Sequence, residues 1–596
     1  MTQVIDRLTA LSSRTRTIIE VTSTAVLSLL CALIVFGPNL DDINVPWSGG
    51  DMTATYINGE TWNWWHYAVE SHYGFPYGMN LNYFPGLDIT QNTFAQIVTD
   101  ITGQPFIGIN LLLILSFPIV AVMAYSAIRL MGLRGPLAIA LGVAFTFIPW
   151  HWGRALGHLY LATLYGAVAG MILALLVGSG RIQQWFTCED RRRRYWYFAL
   201  TALLVVVAAW SAVYFAFFTG LMLAAAVLWR VAQGDRVRRL LFGAVPLVAL
   251  AVVAIIGLLP SILERASNPE VVNLGQRDPM DSVKYGGDLA ISVLPAPYNS
   301  MLGGYNTWVG TMFAQAPTEE QNLLTNYGTW ITSACLLVFI FGLVHYFRRR
   351  ALNTYTPIDD QARPSITFAG YLLMLMVLVF GPWSLNFLIV NLLITQIRDW
   401  NRLLPLMLLL FILGAAGTLA SFKWTRKSIV TFGIAVVIVL ITIFDSIVPW
   451  KGLYDDVARG GRAIVTEGAE YAAAVNTAIP ERCGIFQLPI MIYPENGIAE
   501  PNLNDYDHFL VGLTNKDKDF SYGAMRDTSA STWQLDYTGG VNGNQVQELK
   551  EKGFCAVHLD TRGFNQPEVI EDQLRNLFGK PVAVGLDGRW QLYRIT

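Results

Sequence analysis

The residues of this chain whose types could do chemistry fall in three short stretches. The first is WSGGDMTATYINGETWNWWHYAVESHYGFPYGMNLNYFPGLD, residues 47–88. In it Asp51 follows Gly49-Gly50 and opens a sequence that predicts a helix from Met52 to Ser71, amid Trp62, Trp64, Trp65 and His66. A carboxylate held at a helix start among aromatic rings is suited to take a proton from a sugar hydroxyl as a general base. Asp41 and Asp42, directly after the first apolar run, compete for the same role. The purely structural alternatives are an N-cap for Asp51 and a solvated loop start for Asp41 and Asp42. Trp65, His66 and Asp88 are expected to meet a sugar or an acceptor.

The second stretch is FIPWHWGRALGHLYLATLYG, residues 147–166, with His151, Arg154 and His158 packed into one short connection between two apolar runs. Interfacial Trp and His often only anchor a helix. Three polar residues in so tight a turn favour a site, with His158 orienting an acceptor or assisting a proton, His151 touching sugar or acceptor, and Arg154 a reserve contact for phosphate. No Cys or acidic ligand is interleaved between the histidines, so no metal ligands are assigned. The third stretch, QIRDWNRLLP (396–405), sets Arg398 and Arg402 four apart at the head of an apolar run. If the helix already includes both, they share a face and their guanidinium forks can converge on one phosphate. Pairing with Asp399 or with lipid head groups is the structural alternative. Asp278, Asp281, Lys284 and Asp288 are weaker candidates, because charge in a long loop is usually just solvated.

The elements that must position these residues are legible from composition. Hydrophobic residues make up 53% of the chain and charged residues only 14%. Uncharged runs long enough for a helix to cross a bilayer recur throughout, which predicts a polytopic helical membrane protein and not a barrel of short alternating strands. The net charge of −2 and the confinement of basic residues to span ends exclude a nucleic-acid partner. If the clusters at Arg129 and Arg134, Arg181 to Arg194, Arg230 to Arg239, Arg348 to Arg350 and Lys423 to Lys427 all lie in the cytoplasm, the intervening spans pair off. The uncharged stretch 196–229 then folds back near Trp210 and Ser211, and 384–397 does not cross. The count is about eleven spans, with the amino terminus inside and the carboxyl terminus outside. Large outer loops occupy residues 38–105 and 261–328. The first run, Ile18 to Phe36, is an anchor with no cleavage site, not a removed leader.

A membrane module is thus expected over residues 1–450 and a small extracytoplasmic α/β domain over 451–596. GIFQLPIMIY (484–493), GFCAVHLD (553–560) and RWQLYRI (589–595) read as strands, and EVIEDQLRNLFG (568–579) as a helix closed by Gly579. Cys483 and Cys555 are either core residues of that domain or, in an oxidising compartment, a disulfide.

GGDMTATY in a large first loop, RALGHLYL in a short second one, IRDWNR late in the chain and an α/β tail together resemble the GT-C superfamily of membrane glycosyltransferases. The resemblance covers most of the chain and rests on short motifs. It implies an enzyme of the cytoplasmic membrane, facing outward, that takes a sugar from a polyprenyl-phosphate donor and transfers it with inversion to a cell-envelope glycan, lipid or protein. Asp51, Asp41 or Asp42 would serve as base and Arg398 and Arg402 would hold the departing phosphate. The isoprenoid tail is expected beside 384–397. No cofactor is assigned, and a divalent metal, used by some members and not by others, is left open. The alternatives are a transporter or flippase of lipid-linked saccharides and a non-catalytic assembly protein.

Overall fold

The computed structural model describes residues 13–47, 51–271, 276–298, 302–313, 324–352, 365–426, 428–480, 483–494 and 502–595. Among them, nine helices are long and apolar enough to cross a membrane, and a tenth span results if the bent pair Ile366–Phe380 and Leu385–Leu392 counts as one. The expected eleven is reached only by adding Arg191–Ala209, whose first turn is four arginines. Proline opens many of these helices, at Pro105, Pro136 and Pro149, where its missing N–H breaks no helical bond. The core of the bundle runs along Tyr165–Gly178, buried over its whole length, and Leu404–Ala420, buried over nearly all of its own.

Arg191–Ala209 and Val213–Ala232 are the fold-back pair, separated at Trp210 and Ser211. The carbonyls freed by this break are taken up from outside. Thr90 N–H donates to the Trp210 carbonyl at 3.0 Å, and the Gln91 side-chain amide donates to the Ser211 carbonyl. A helix end inside a bundle needs such partners, and here the first turn of another helix, Ile89–Thr102, supplies them. Leu385–Leu392 is bent by 70° from the preceding helix. Its eight residues rise about 12 Å, too little to cross a bilayer.

The first loop folds differently from its expectation. The helix predicted to reach Ser71 is Asp51–Thr61 and stops at a two-residue hairpin, Trp62–Asn63 (β1) against His66–Tyr67 (β2). Trp64 at the turn adopts a positive φ of 58°, which a continuing helix cannot accommodate. The last span, Ser428–Ser446, is followed at once by the 31-residue helix Val448–Ala478, so the change of composition after Trp450 lies inside a helix. This helix lies on the first loop. A Cβ at Gly461 would collide with the Pro46 carbonyl, and glycine is what permits that approach.

The tail carries a five-stranded sheet in the order β4-β3-β5-β7-β6. Its strands are Gly484–Leu488 (β3), Asp519–Phe520 (β4), Phe554–Asp560 (β5), Ala583–Gly585 (β6) and Trp590–Arg594 (β7). β4, β3 and β5 run parallel and β7 runs antiparallel to β5. The expected strand 484–493 ends at Leu488 because Pro489 has no N–H to give the sheet. Cys483 and Cys555 are bridged. The first loop is sewn to this domain, with Phe75 N–H donating to the Phe520 carbonyl at 2.9 Å and Gly74 N–H to the Tyr522 carbonyl at 2.8 Å.

Candidate active site

Asp51 and His158 belong to different stretches of the sequence, and the fold brings them together. Asp51 is the first residue of its helix, and His158 stands just ahead of the short helix Leu159–Ala162. His158 Nδ1 lies 2.9 Å from Asp51 Oδ2, and the two side chains keep 36% and 38% of their surface exposed. A carboxylate that orients an imidazole while both remain open to solvent is equipped to accept and hold a proton from an incoming hydroxyl.

Several tyrosines lie within reach of these charges. Asp51 lies within electrostatic reach of Tyr493, which the tail domain contributes. Tyr493 in turn acts on Tyr67, and Tyr67 on the neighbourhood of Asp88. Burial raises the Tyr67 phenol, and the Asp88 charge raises it further. Asn92 receives the Tyr160 hydroxyl on Oδ1, while its amide donates to the Tyr67 hydroxyl at 2.9 Å. Tyr165 and Thr90 share a hydrogen bond of 3.2 Å, and Thr90 reaches Ser211 Oγ at 3.0 Å. Thr90, Gln91 and Asn92 therefore hold Tyr67, Tyr160 and Tyr165 and cap the broken helix pair with the same turn.

Asp88 is enclosed by protein yet keeps part of its surface open. Burial pushes its carboxyl up to about 7, and the charge of Arg402 opposes that rise. Arg402 is buried in the turn Trp400–Leu403, paired with Asp399 and set 4.0 Å over the Tyr214 ring. Arg398 goes elsewhere. It lies before the helix, 5.1 Å from the Tyr285 ring, and its charge acts on Asp281. The backbone at Asp399 is not helical, so the shared helical face expected for Arg398 and Arg402 does not form, and Asp399 pairs with one terminal nitrogen of Arg402.

The other residues singled out in the sequence have different surroundings. Asp42 is buried and bonded through both carboxylate oxygens to Arg462 of the Val448–Ala478 helix, at 2.8 Å from Arg462 Nε to Oδ1. Asp41 is exposed at the end of the short helix Gly37–Asp42. His151 is fully buried, stacked on Phe117 at 3.9 Å, with one ring nitrogen 2.7 Å from Ser116 Oγ and the other 2.9 Å from the Thr146 carbonyl. Arg154 is buried with its guanidinium 4.8 Å over Trp150. Trp65 and His66 sit at the exposed tip of the first-loop hairpin. Among the described residues no three His, Cys, Asp or Glu side chains come together as a metal site.

Tyr67, Asn92, Tyr160, Tyr165 and Tyr493 were not singled out by sequence reasoning. The signal available was four polar residues within five, Asp88, Thr90, Gln91 and Asn92, directly after Pro85-Gly86-Leu87.

With the geometry in hand, comparison with known proteins places the fold. A family model described as a domain of unknown function (DUF6311) matches residues 25–286. No curated protein sequence matches the chain. The crystal structure of ArnT from Cupriavidus metallidurans in the apo state superposes with a TM-score of 0.51 at 12% identity, covering 96% of this chain and 98% of that one. Arabinofuranosyltransferase AftD from Mycobacteria gives 0.44 at 15% identity and covers 98% of this chain, which spans only 40% of AftD. The Archaeoglobus fulgidus oligosaccharyltransferase gives 0.45 at 11% identity, over 95% of this chain and 72% of that one. The chain has the GT-C membrane fold.

Proposed function

We propose that this protein is an inverting glycosyltransferase that moves a sugar from a polyprenyl-phosphate donor to a cell-envelope glycan, lipid or protein acceptor at the outer face of the cytoplasmic membrane. The observation that carries the reading is the Asp51–His158 pair, 2.9 Å apart and open to solvent, together with Arg402, whose charge acts on Asp88. In the reaction, Asp51 takes the proton of the acceptor hydroxyl while its oxygen attacks the anomeric carbon. The bond from that carbon to the phosphate oxygen breaks on the opposite face, and the polyprenyl phosphate leaves with the negative charge. His158 holds the carboxylate in position and stabilises it once protonated. Arg402 lowers the energy of the departing phosphate, an electrostatic role that grows toward the transition state.

The orientation rests on charge. The arginine clusters Arg129, Arg191 to Arg194 and Arg348 to Arg350 fall at helix ends away from the first loop and the tail domain, and the positive-inside rule sets them in the cytoplasm. A disulfide in the tail domain suits the oxidising side. A tag after Thr596 should then be reached by a membrane-impermeant reagent, and one in the 182–194 segment should not.

The test is transfer of radiolabelled sugar from synthetic polyprenyl-phosphate donors to membrane acceptors by the purified full-length protein in liposomes. Label should appear in the acceptor with inverted anomeric configuration. Movement of intact donor across the liposome membrane with no label in any acceptor would make the protein a transporter instead.

A further inference from the structure

At the end of the bundle opposite the first loop, arginines from two spans surround a cavity of about 630 Å³. Arg14 and Arg16 come from the start of the first span, Ser13–Phe36, Arg129 from the last turn of Pro105–Leu130, and Arg134 from the turn that follows it. We propose that this cavity binds the phosphate head group of an anionic phospholipid of the cytoplasmic leaflet. The choice of leaflet rests on the orientation proposed above; the site itself does not.

Charge is the first observation. Against the four arginines, Glu20 is the one carboxylate among the described residues that line the cavity. It is buried and engaged at both oxygens: Arg16 Nε donates to Oε1 at 3.0 Å, and the Tyr125 hydroxyl donates to Oε2. Arg129 is held in the same wall, its Nη1 donating to Thr17 Oγ1 at 3.0 Å. Four positive charges and one negative leave an excess of three around one space, and guanidinium forks suit phosphate oxygens. The second observation is where the charges come from. At Arg191 to Arg194 and Arg348 to Arg350 the arginines are consecutive on a single helix, which satisfies the positive-inside rule without enclosing anything. Here two helices and a turn contribute, and the turn is shaped for it. Met131 and Leu133 are buried, Gly132 and Gly135 take positive φ values of 98° and 75°, and Arg134 beside them stays exposed. The third observation separates a lipid from a soluble anion. Ile18 lines the cavity and is 58% exposed, at the start of an apolar surface exposed again at Val26 and Leu30 along a membrane span. A free anion gains nothing from that wall. A phospholipid with its phosphate among the arginines lays its glycerol and acyl chains beside it.

The experiment uses the full-length protein in phosphatidylcholine nanodiscs containing a little phosphatidylglycerol with a diazirine on its head group. Adducts mapped by mass spectrometry should fall on residues 14–20 and 125–136, and unlabelled phosphatidylglycerol should displace the probe where added phosphatidylcholine does not. Arg14→Ala with Arg134→Ala removes two exposed arginines and leaves Glu20 with Arg16 and Tyr125. Labelling should then fall about tenfold or more at an unchanged melting temperature, and Arg14→Lys with Arg134→Lys should recover part of it, because the charge stays and the fork is lost. Arg348→Ala with Arg350→Ala removes the same charge from another helix end and should leave this labelling as it was. Equal losses in the two alanine pairs would reduce the effect to net charge and overturn the site, as would adducts spread evenly over the helix ends. Displacement by millimolar inorganic phosphate would make the ligand a soluble anion and overturn the lipid assignment. Nanodiscs expose both faces and no sugar donor enters the assay, so the outcome is separable from the orientation and from the transfer reaction. Labelling here together with a 182–194 tag reached from outside would keep the site and overturn its leaflet.

Discussion

His151 and His158 are seven residues apart in one connection, yet the molecule uses the two regions they occupy in opposite ways. Around His151 the bundle is closed. Both ring nitrogens are occupied by Ser116 and Thr146, and Phe117 covers the face. Around His158 the protein is open, and the one ion-pair partner is itself a titratable group with more than a third of its surface free. The same contrast separates Asp42, spent on Arg462 at the seam between first loop and tail helix, from Asp51. A polar residue whose hydrogen-bonding capacity is filled by its own chain is holding the fold. One that meets another titratable group and keeps surface open is available to a substrate.

The largest test of this contrast is Asp51→Asn. Loss of a general base is typically worth on the order of 10² to 10⁴ in rate, so turnover should fall by that much while donor binding and melting temperature stay at wild-type values. A variant that turns over normally would transfer the base role away from the open pair. Next is the pair of arginines. Arg402→Ala should weaken donor binding roughly 10- to 100-fold, the worth of a charged hydrogen bond, and Arg402→Lys should recover only part of it because the fork is lost. Arg398→Ala should change donor binding little, since that side chain faces Tyr285. Equal effects at the two positions, by titration calorimetry, would restore the shared clamp.

His151→Phe probes the closed region. It leaves the Thr146 carbonyl without its donor, which costs about 1–3 kcal/mol. The melting temperature should drop while donor affinity holds. A loss of affinity with no loss of stability would place His151 in the site after all. The smallest expected effect is a pH dependence. Asp88, raised to about 7 by burial against the pull of Arg402, is neutral below that value and negative above it. A sugar phosphodiester keeps one negative charge across the range, so its binding should weaken as pH rises through about 7. Asp88→Asn should flatten the profile at the low-pH affinity. An unchanged inflection in that variant would assign it to another group.

Much of the architecture could be read in advance because it follows from one-dimensional signals. Span lengths, the fold-back at Trp210 and Ser211, the short 384–397 segment and the α/β tail all follow from apolar run length, charge position and local alternation. Asp51 and His158 were both visible as polar residues in unusual places, but nothing in the sequence pairs residue 51 with residue 158. The closed role of His151 was equally hidden, because it depends on Ser116 and Phe117 from a neighbouring helix. Arg398 and Arg402 misled for a local reason: spacing of four implies a shared face only in a helix, and the helix begins at Leu404. The helix Val448–Ala478 was obscured by Gly452, Gly460 and Gly461, residues that weaken a helical pattern. Gly461 is there for the close approach of Pro46. The tyrosine cluster was missed because its members come from the first loop, from two helices of the bundle and from the tail domain, and no one-dimensional pattern joins them.

The central claim is that sugar transfer takes place between Asp51 and Arg402. It is tested most directly by a structure of the Asp51→Asn variant, full length in a lipid nanodisc, with a polyprenyl-phosphate sugar bound. The sugar should lie between position 51 and Arg402, its phosphate on the Arg402 side beside Asp88, and the anomeric carbon facing His158 across a gap that admits one acceptor hydroxyl. A donor bound with its phosphate on Arg398 and Lys284, away from Asp88 and position 51, would contradict the account.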